Sequence, residues 1–135
     1  MTTKQIVNKQ KESKKKVTKS VDKGRIYISA SFNNTLVTVT DSVGDVLVWG
    51  SAGLAGFKGT RKSTPYAATT AVDKVVRKAV DDFGLKEVEI YVKGPGTGRD
   101  AALRAVRGVG VKISMIADIT PIPHNGPRPK KQRRA

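Results

Sequence analysis

The chain alternates apolar and polar side chains from residue 25 onward, with the period of two that is typical of a strand. The first predicted strand covers residues 25–30 and places three apolar side chains on one face, Ile26, Ile28 and Ala30. β-branched residues at 35–40 and an apolar run at 46–49 predict two more strands. Because the connecting segments are short, we expect the three strands to form an antiparallel meander.

Both connections of this meander carry turn-forming residues. Asn33 and Asn34 suit the first turn, since their short amide side chains tolerate left-handed backbone. Residues 41–45 combine aspartate, serine and glycine and predict the second turn.

A helical period replaces the alternation after residue 64. Thr64 supplies a capping hydroxyl, Pro65 suits the first helical position, and Gly84 offers a left-handed stop. These signals predict a helix over residues 65–83. Its apolar stripe consists of Ala68, Ala71, Val72, Val75, Val76, Ala79 and Phe83.

The rest of the core sequence repeats a strand and a helix. Residues 87–93 alternate as a strand, and residues 99–107 predict a shorter helix that ends at Gly108 or Gly110. A last strand precedes the prolines at 121 and 123 and is marked by Val111, Ile113, Met115 and Ala117. The order βββαβαβ predicts an α/β fold with a five-stranded mixed sheet and two crossover helices, similar to ribonuclease H.

Positive charge is concentrated at the two ends of the chain. Residues 1–23 and 124–135 hold 13 of the 26 lysines and arginines but only two acids, which is +11 of the formal +15. Blocks of like charge repel one another and bury little apolar surface. We therefore predict basic extensions at both ends, both disordered in the free protein, around a single α/β domain at residues 24–123. Their expected partner is a nucleic-acid backbone.

Composition removes several classes of function. The chain has no cysteine, which excludes disulfides, thiolate zinc sites and a cysteine nucleophile. His124 is its only histidine, so histidine clusters that bind metals are excluded as well. No apolar run is long enough to span a membrane, and no apolar secretion segment follows the basic N-terminus. A mitochondrial transit peptide in residues 1–23 stays an alternative, although lysine stands there where arginine is usual.

The segment of residues 50–63 carries four glycines and is too long for a simple connection. Three cations lie directly before the capped helix N-terminus, namely Lys58, Arg61 and Lys62. A phosphate bound at this helix end would contact them. The aromatic residues that flank it and could stack on bases are Trp49, Phe57 and Tyr66. A solvated surface loop is the plainer interpretation, and a lone tryptophan at a strand end is more often part of the core.

A second glycine-rich turn, residues 94–98, follows a strand and opens a helix. Backbone N–H groups at such a helix end can bind a phosphate, and Arg99 adds a cation close to Gly96. The turn is not a dinucleotide fingerprint, which would need glycine at position 99, and no P-loop is present. We predict no cofactor, and a tight turn without a ligand is an equally open interpretation.

The acids do not converge as a catalytic centre would require. They are spread over the second turn, the first helix and the end of the last strand, as Asp41, Asp45, Asp73, Asp81, Asp82 and Asp118. This scatter is typical of surface charge, so we predict no catalytic residue and no metal.

Five motifs in one order carry a resemblance to a known family. They are SFNNT at 31–35, GFKGTRKSTPYAA at 56–68, KGPGTGR at 93–99, LRA at 103–105 and DITPIPHNG at 118–126, followed by a basic tail. Over residues 24–134 the chain resembles the bacterial form of the universal small-subunit ribosomal protein eleven family. Tyr27 departs from that family, which usually has histidine there.

The resemblance implies a structural protein that binds ribosomal RNA on the platform of the small subunit. It implies that the protein bridges RNA helices near the messenger-RNA exit path and the Shine–Dalgarno cleft. It also implies contacts with ribosomal proteins seven and eighteen and a cytoplasmic, ribosome-bound location, an organellar ribosome being the alternative. Neither a membrane nor a small-molecule substrate is expected as a partner.

The residues that we predict to contact RNA lie in the first turn, the long loop, the glycine turn and the tail. They are Asn33, Asn34, Lys58, Arg61, Lys62, Gly96, Arg99, His124, Asn125, Arg128, Lys130 and Lys131. Two rival functions are a metal-dependent nuclease of similar fold and a DNA-compacting basic protein. The first would cleave RNA, and the second would bind duplex DNA as tightly as structured RNA.

Overall fold

The computed structural model describes residues 20–134, so the predicted disorder of the N-terminal arm concerns residues that lie almost entirely outside this range. Within it, the elements follow the predicted order. The strands are β1 (Lys23–Ala30), β2 (Thr35–Asp41), β3 (Val46–Ser51), β4 (Glu87–Lys93) and β5 (Lys112–Asp118). The helices are α1 (Pro65–Phe83) and α2 (Gly98–Val109), and a 3-10 helix (Gly59–Ser63) precedes α1.

The strands form one mixed sheet in the order β3-β2-β1-β4-β5. β2 pairs antiparallel with both β1 and β3, whereas β4 pairs parallel with both β1 and β5. Parallel neighbours need crossover connections, which α1 and α2 supply. The predicted α/β class and mixed sheet are confirmed, and the closer similarity to ribonuclease H stays a prediction.

Both helices lie on the same face of the sheet. They pack on each other, α1 also contacts β2 and β3, and α2 contacts β1. Alternate strand residues such as Ile26, Ile28 and Ile90 are fully buried there against Val72 and Val106 of the helices. Each such side chain contributes roughly 1.5–3 kcal/mol through burial. No helix of the described chain covers the opposite face of the sheet.

The first helix begins and ends at the residues predicted for it. The Thr64 hydroxyl accepts a hydrogen bond from the Ala67 N–H at 3.2 Å, and Pro65 occupies the first helical position. Gly84 ends the helix with a left-handed φ of 68°. A threonine cap of this kind contributes about 0.5–2 kcal/mol, so the segment that precedes α1 is firmly anchored at Thr64.

The residues predicted to mark the last strand do not share one face. In β5 a bulge shifts the register, so that Ile113 pairs with Val88 while Met115 pairs with Glu89. Neighbouring residues of β4 point to opposite faces, and Ile113 and Met115 therefore do so too. The alternation in the sequence gives no sign of this bulge.

Trp49 is not a core residue, so that interpretation of the sequence is wrong. It is 62% exposed and pairs with Thr38, whose side chain points to the uncovered face of the sheet. β3 is an edge strand, and a side chain on that face meets no second layer.

Asp41 is not the surface charge that the sequence indicates. It is buried, and its carboxylate accepts hydrogen bonds from the N–H groups of Val43, Gly44 and Asp45 at 2.8–3.0 Å. The carboxylate thus accepts the hydrogen bonds of the backbone N–H groups in the second turn and keeps this turn closed.

Candidate nucleic-acid interface

The segments predicted to contact RNA gather at one end of the sheet. β1, β4 and β5 finish there, and both helices begin there, because parallel strands end at the same edge. The Gly96 N–H donates to the last carbonyl of β1 at 2.9 Å, and the Gly94 N–H donates to Thr120 Oγ1 at 3.1 Å. The Thr97 hydroxyl donates to the Ser63 carbonyl. We call this surface the basic end, consisting of residues 31–34, 52–64, 94–99 and 119–134.

The turn after β1 is held by side chains rather than by left-handed backbone. Among described residues other than glycine, only Asn125 has a positive φ, of 60°, so the expected reason for Asn33 and Asn34 is wrong. Ser31 Oγ instead accepts from the Asn34 N–H at 3.1 Å, and Asn34 Oδ1 accepts from the Thr35 N–H at 2.9 Å. Asn34 thus shapes the turn, while the exposed Asn33 side chain makes no hydrogen bond within the described chain.

Gly96 is fixed by its own chain. A Cβ at this position would lie 2.3 Å from the Ser31 carbonyl oxygen and 2.7 Å from the Ala30 carbonyl carbon, closer than side chains approach. Its N–H is already bonded to Ala30. The predicted contact of Gly96 with RNA stays a prediction, but this N–H is not available for it.

Arg99 joins the start of α2 to the end of β5. Its Nη2 donates to Asp118 Oδ2 at 2.7 Å, and its Nη1 donates to the Gly94 carbonyl at 3.4 Å. Asp118 also accepts two hydrogen bonds from Thr120, through its hydroxyl at 2.6 Å and its N–H at 2.9 Å. Asp118 is therefore not an ordinary surface charge, and Arg99 orders the basic end in addition to any contact with phosphate.

These bonds make the stability of this end depend on pH. The hydrogen bonds from Thr120, followed by that from Arg99, hold the pKa of Asp118 well below its usual range. A carboxyl with a depressed pKa contributes stability above its unfolded pKa of about 3.9 and loses it as the pH falls through its folded pKa.

Asp118→Asn is therefore expected to destabilise the protein at pH 7 and to lose that effect in acid. Urea unfolding followed by circular dichroism between pH 7 and pH 2 measures the difference between variant and wild type. The difference should shrink progressively below about pH 4. A difference that stays constant over this range would contradict the assigned role of Asp118.

The long loop is shaped by hydrogen bonds within itself. The Thr64 hydroxyl donates to the Arg61 carbonyl at 2.8 Å, and the Ser63 hydroxyl donates to the Thr60 carbonyl at 2.7 Å. The 3-10 helix (Gly59–Ser63) carries Arg61 and Lys62, a structure that the sequence pattern does not predict. The loop therefore presents its cations on a defined backbone.

The three loop cations have no acidic partner within the described residues. Lys58 and Arg61 are exposed and line an open cavity of about 320 Å³ together with Gly56 and Phe57, whereas Lys62 is half-buried. The Phe57 ring packs edge-on against Tyr66, with centroids 5.8 Å apart, and Tyr66 is 72% exposed. Cations for phosphates and a ring for bases thus lie side by side.

Acidic side chains are scarce at the basic end. Asp118 lies there in its pair with Arg99, and Asp100 follows on α2. The acids that belong to the opposite end of the sheet and helices are Asp22, Asp41, Asp45, Asp81, Asp82 and Glu87. Such separation of charge orients a polyanion towards the basic end before contact.

The tail begins at the basic end. The Ile119 N–H donates to the Val92 carbonyl at 2.8 Å, which ties the start of the tail to β4. Beyond it the described residues form neither helix nor strand. The predicted contact residues of the tail are all exposed, namely His124, Asn125, Arg128, Lys130 and Lys131.

Phe32 is a candidate that the sequence reasoning missed. It is 73% exposed at the tip of the first turn, next to Asn33. A large aromatic residue between polar neighbours in a turn is the signal that indicates it, because such a ring has no core to enter and is available for stacking.

Other kinds of site find no support in the described residues. They contain no group of three or more histidine, cysteine or acidic residues placed to hold a metal ion. None of the helices in residues 20–134 has the length and apolar character that a membrane span requires.

A two-layer α/β domain with a cationic, aromatic end has the features expected of a protein that binds folded nucleic acid. Comparison with known proteins agrees: the family described as ribosomal protein S11 matches residues 24–134. The small ribosomal subunit proteins uS11 of Borreliella burgdorferi (strain ZS7) and Borreliella afzelii (strain PKo) are each 54% identical over 122 residues, 90% of this chain and 93% of the relative. The chain belongs to the ribosomal protein S11 family, which confirms the resemblance. This family consists of structural constituents of the ribosome, not enzymes.

Proposed function

We propose that this chain is a structural constituent of the small ribosomal subunit and binds ribosomal RNA through its basic end. The observation that carries the proposal is the group of loop cations without acidic partners beside exposed Tyr66. Phosphate contacts supply affinity, while Asn33, the rings and the loop backbone fix register on a shaped RNA surface. We favour recognition of a folded RNA over readout of a linear base sequence, because four separate segments of the chain form one surface.

Within the subunit we assign the chain by family resemblance to the platform. There it bridges RNA helices near the messenger-RNA exit path and the Shine–Dalgarno cleft, with ribosomal proteins seven and eighteen as neighbours. A cytoplasmic, ribosome-bound location accompanies this assignment. Cross-linking of purified subunits followed by mass spectrometry tests it, and cross-links from this chain to neither protein would reject both neighbours.

Binding to the cognate RNA is expected to weaken steeply with salt. About 5–8 phosphate contacts, each with a slope of about −0.7 to −0.9, give a log–log slope of about −4 to −7. Filter binding or fluorescence anisotropy over a salt series measures the slope. Deletion of the basic extensions should make this salt dependence less steep. Its effect on the preference for cognate over unrelated RNA should be smaller. A slope near zero is incompatible with the electrostatic account.

The DNA-compacting rival is tested by the same titration with duplex DNA. The proposed function requires weaker binding to DNA than to structured RNA at equal salt, since the surface fits a folded RNA rather than a regular duplex. Equal affinities would favour the rival. Metal-dependent cleavage of RNA by the pure protein would favour the nuclease.

A further inference from the structure

One carboxylate at the basic end joins three segments of the chain. Asp118 accepts a hydrogen bond from Arg99 Nη2 at 2.7 Å, and it accepts two from Thr120, through the hydroxyl at 2.6 Å and the N–H at 2.9 Å. Arg99 Nη1 also donates to the Gly94 carbonyl at 3.4 Å, and the Gly94 N–H donates to Thr120 Oγ1 at 3.1 Å. These four residues thus form a closed circuit of hydrogen bonds, which we call the clamp.

The clamp sets the direction in which the chain leaves the sheet. Within the part of the chain that the structure describes, no hydrogen bond holds the tail to the domain beyond Thr120. We call residues 119–123, the first part of the tail, the stem. Pro121 and Pro123 fix their own φ angles and restrict the residue before each of them. The stem is therefore stiff, and a direction set at Thr120 is passed on to the residues that follow.

The tail beyond the stem is strongly cationic. Its lysines and arginines are exposed and have no acidic partner within residues 20–134, namely Arg128, Lys130, Lys131, Arg133 and Arg134. Such a tail gains affinity for RNA when its cations reach phosphates, and the ordering of its residues opposes this gain. A stem of fixed direction reduces the volume that the tail explores, which raises the effective concentration of its cations at those phosphates.

Asp118 is an unexpected residue on a surface that binds a polyanion. By charge alone, a carboxylate at the basic end repels phosphates, so its removal would strengthen RNA binding. Its removal would also release the guanidinium of Arg99 for a phosphate. The clamp predicts the opposite sign, because the stem loses its fixed direction without the carboxylate. The sign of the effect therefore separates electrostatic repulsion from positioning.

We propose that Asp118 is a positioning residue for RNA binding: through Arg99 and Thr120 it fixes the direction of the basic tail, so that a negative charge on this surface increases the affinity for RNA. The proposal rests on the proposed function, since it concerns how the same basic end holds ribosomal RNA. It assigns to the clamp a role in binding that is separate from its role in stability.

Asp118→Asn in the full-length chain should bind small-subunit ribosomal RNA about three- to tenfold more weakly than wild type. Filter binding measures the affinity at a temperature where circular dichroism shows that the variant is folded. Asp100→Asn is the matched control, because it removes the same charge in the first turn of α2 from a carboxylate that has no hydrogen bond or ion pair within the described chain. This control should bind as tightly as wild type or more tightly. Affinity of Asp118→Asn equal to or above that of wild type would overturn the proposal.

Thr120→Val opens the clamp without a change of charge, because valine lacks the hydroxyl that bonds to Asp118 and Gly94. It should weaken RNA binding to a similar extent. The same two clamp variants are then made in a full-length chain whose five tail cations are changed to glutamine. There each should alter the affinity by less than about twofold, since the tail has little left to contribute. A loss that persists in this background would show that the clamp does not act through the tail, which also overturns the proposal.

A tethered cleavage reagent reports the position of the tail directly. The chain has no cysteine, so Gln132→Cys gives a single attachment site in the tail, and Thr60→Cys gives one in the long loop. With iron-EDTA attached and the RNA saturated with protein, Asp118→Asn should weaken cleavage from the tail site by at least about threefold and leave cleavage from the loop site unchanged. An unchanged cleavage pattern from the tail would reject the positioning role. Failure of the wild-type protein to bind this RNA would instead reject the proposed function.

Discussion

Replacing Lys58, Arg61 and Lys62 together with glutamine is expected to reduce incorporation into the small subunit by at least about tenfold in competition with wild type. Hydrogen bonds to charged groups contribute about 1.5–3 kcal/mol each, and about 1.4 kcal/mol corresponds to a tenfold change. The loop is anchored by the Thr64 cap and by its bond to Thr97. Its cations therefore meet phosphates with little loss of conformational entropy.

The matched control removes the same charge from the N-terminal arm, by changing Lys14, Lys15 and Lys16 to glutamine. These residues lie outside the described range, and their sequence predicts an arm that becomes ordered only when it binds. We expect its loss to lower incorporation by no more than about threefold, since each arm contact must offset the ordering of its own residues. Occupancy in purified subunits decides between the two sites. Equal losses would mean that the long loop is only another basic surface.

Sequence reasoning succeeds where one local signal decides the structure. Thr64, Pro65 and Gly84 fix α1 at both ends, because capping and the left-handed stop depend on the residues themselves. The alternation in β1 and β4 likewise predicts which side chains are buried. These elements position the basic end, so the predicted segments come together as the topology requires.

It fails where the folded surroundings of a residue, rather than its type and its spacing in the sequence, decide its role. The pairing of Arg99 with Asp118 joins residues that no sequence spacing relates, and the buried carboxylate of Asp41 depends on how its turn closes. Trp49 is exposed because its strand is at the edge of the sheet and its side chain is on the uncovered face. Periodicity identifies a strand but does not identify which of its faces receives a second layer.

Gly96→Ala is expected to destabilise the protein by about 1–3 kcal/mol, because the new methyl group meets backbone that cannot move away like a flexible side chain. The Ser31 carbonyl oxygen, 2.3 Å from where the alanine Cβ would lie, belongs to the turn that also holds Asn33. To avoid this contact, either that turn or the start of α2 must move. RNA affinity should therefore fall as well, even at temperatures where the variant is folded.

Gly108→Ala is the control: Gly108 lies within α2, which the Gly96 turn precedes, and a Cβ there would meet nothing within 4 Å beyond its neighbours and its own helix backbone. Alanine in a helix is favoured over glycine by roughly 0.5–1 kcal/mol, so this variant should be as stable as wild type or more so. Thermal unfolding measures both variants, and a change of about 1 kcal/mol corresponds to about 4–8 °C in a domain of this size. RNA titration at about 25 °C then separates the effects: the Gly108 variant should bind as wild type, and the Gly96 variant more weakly. Wild-type stability and affinity in the Gly96 variant would show that the close approach of the two turns does not constrain the basic end.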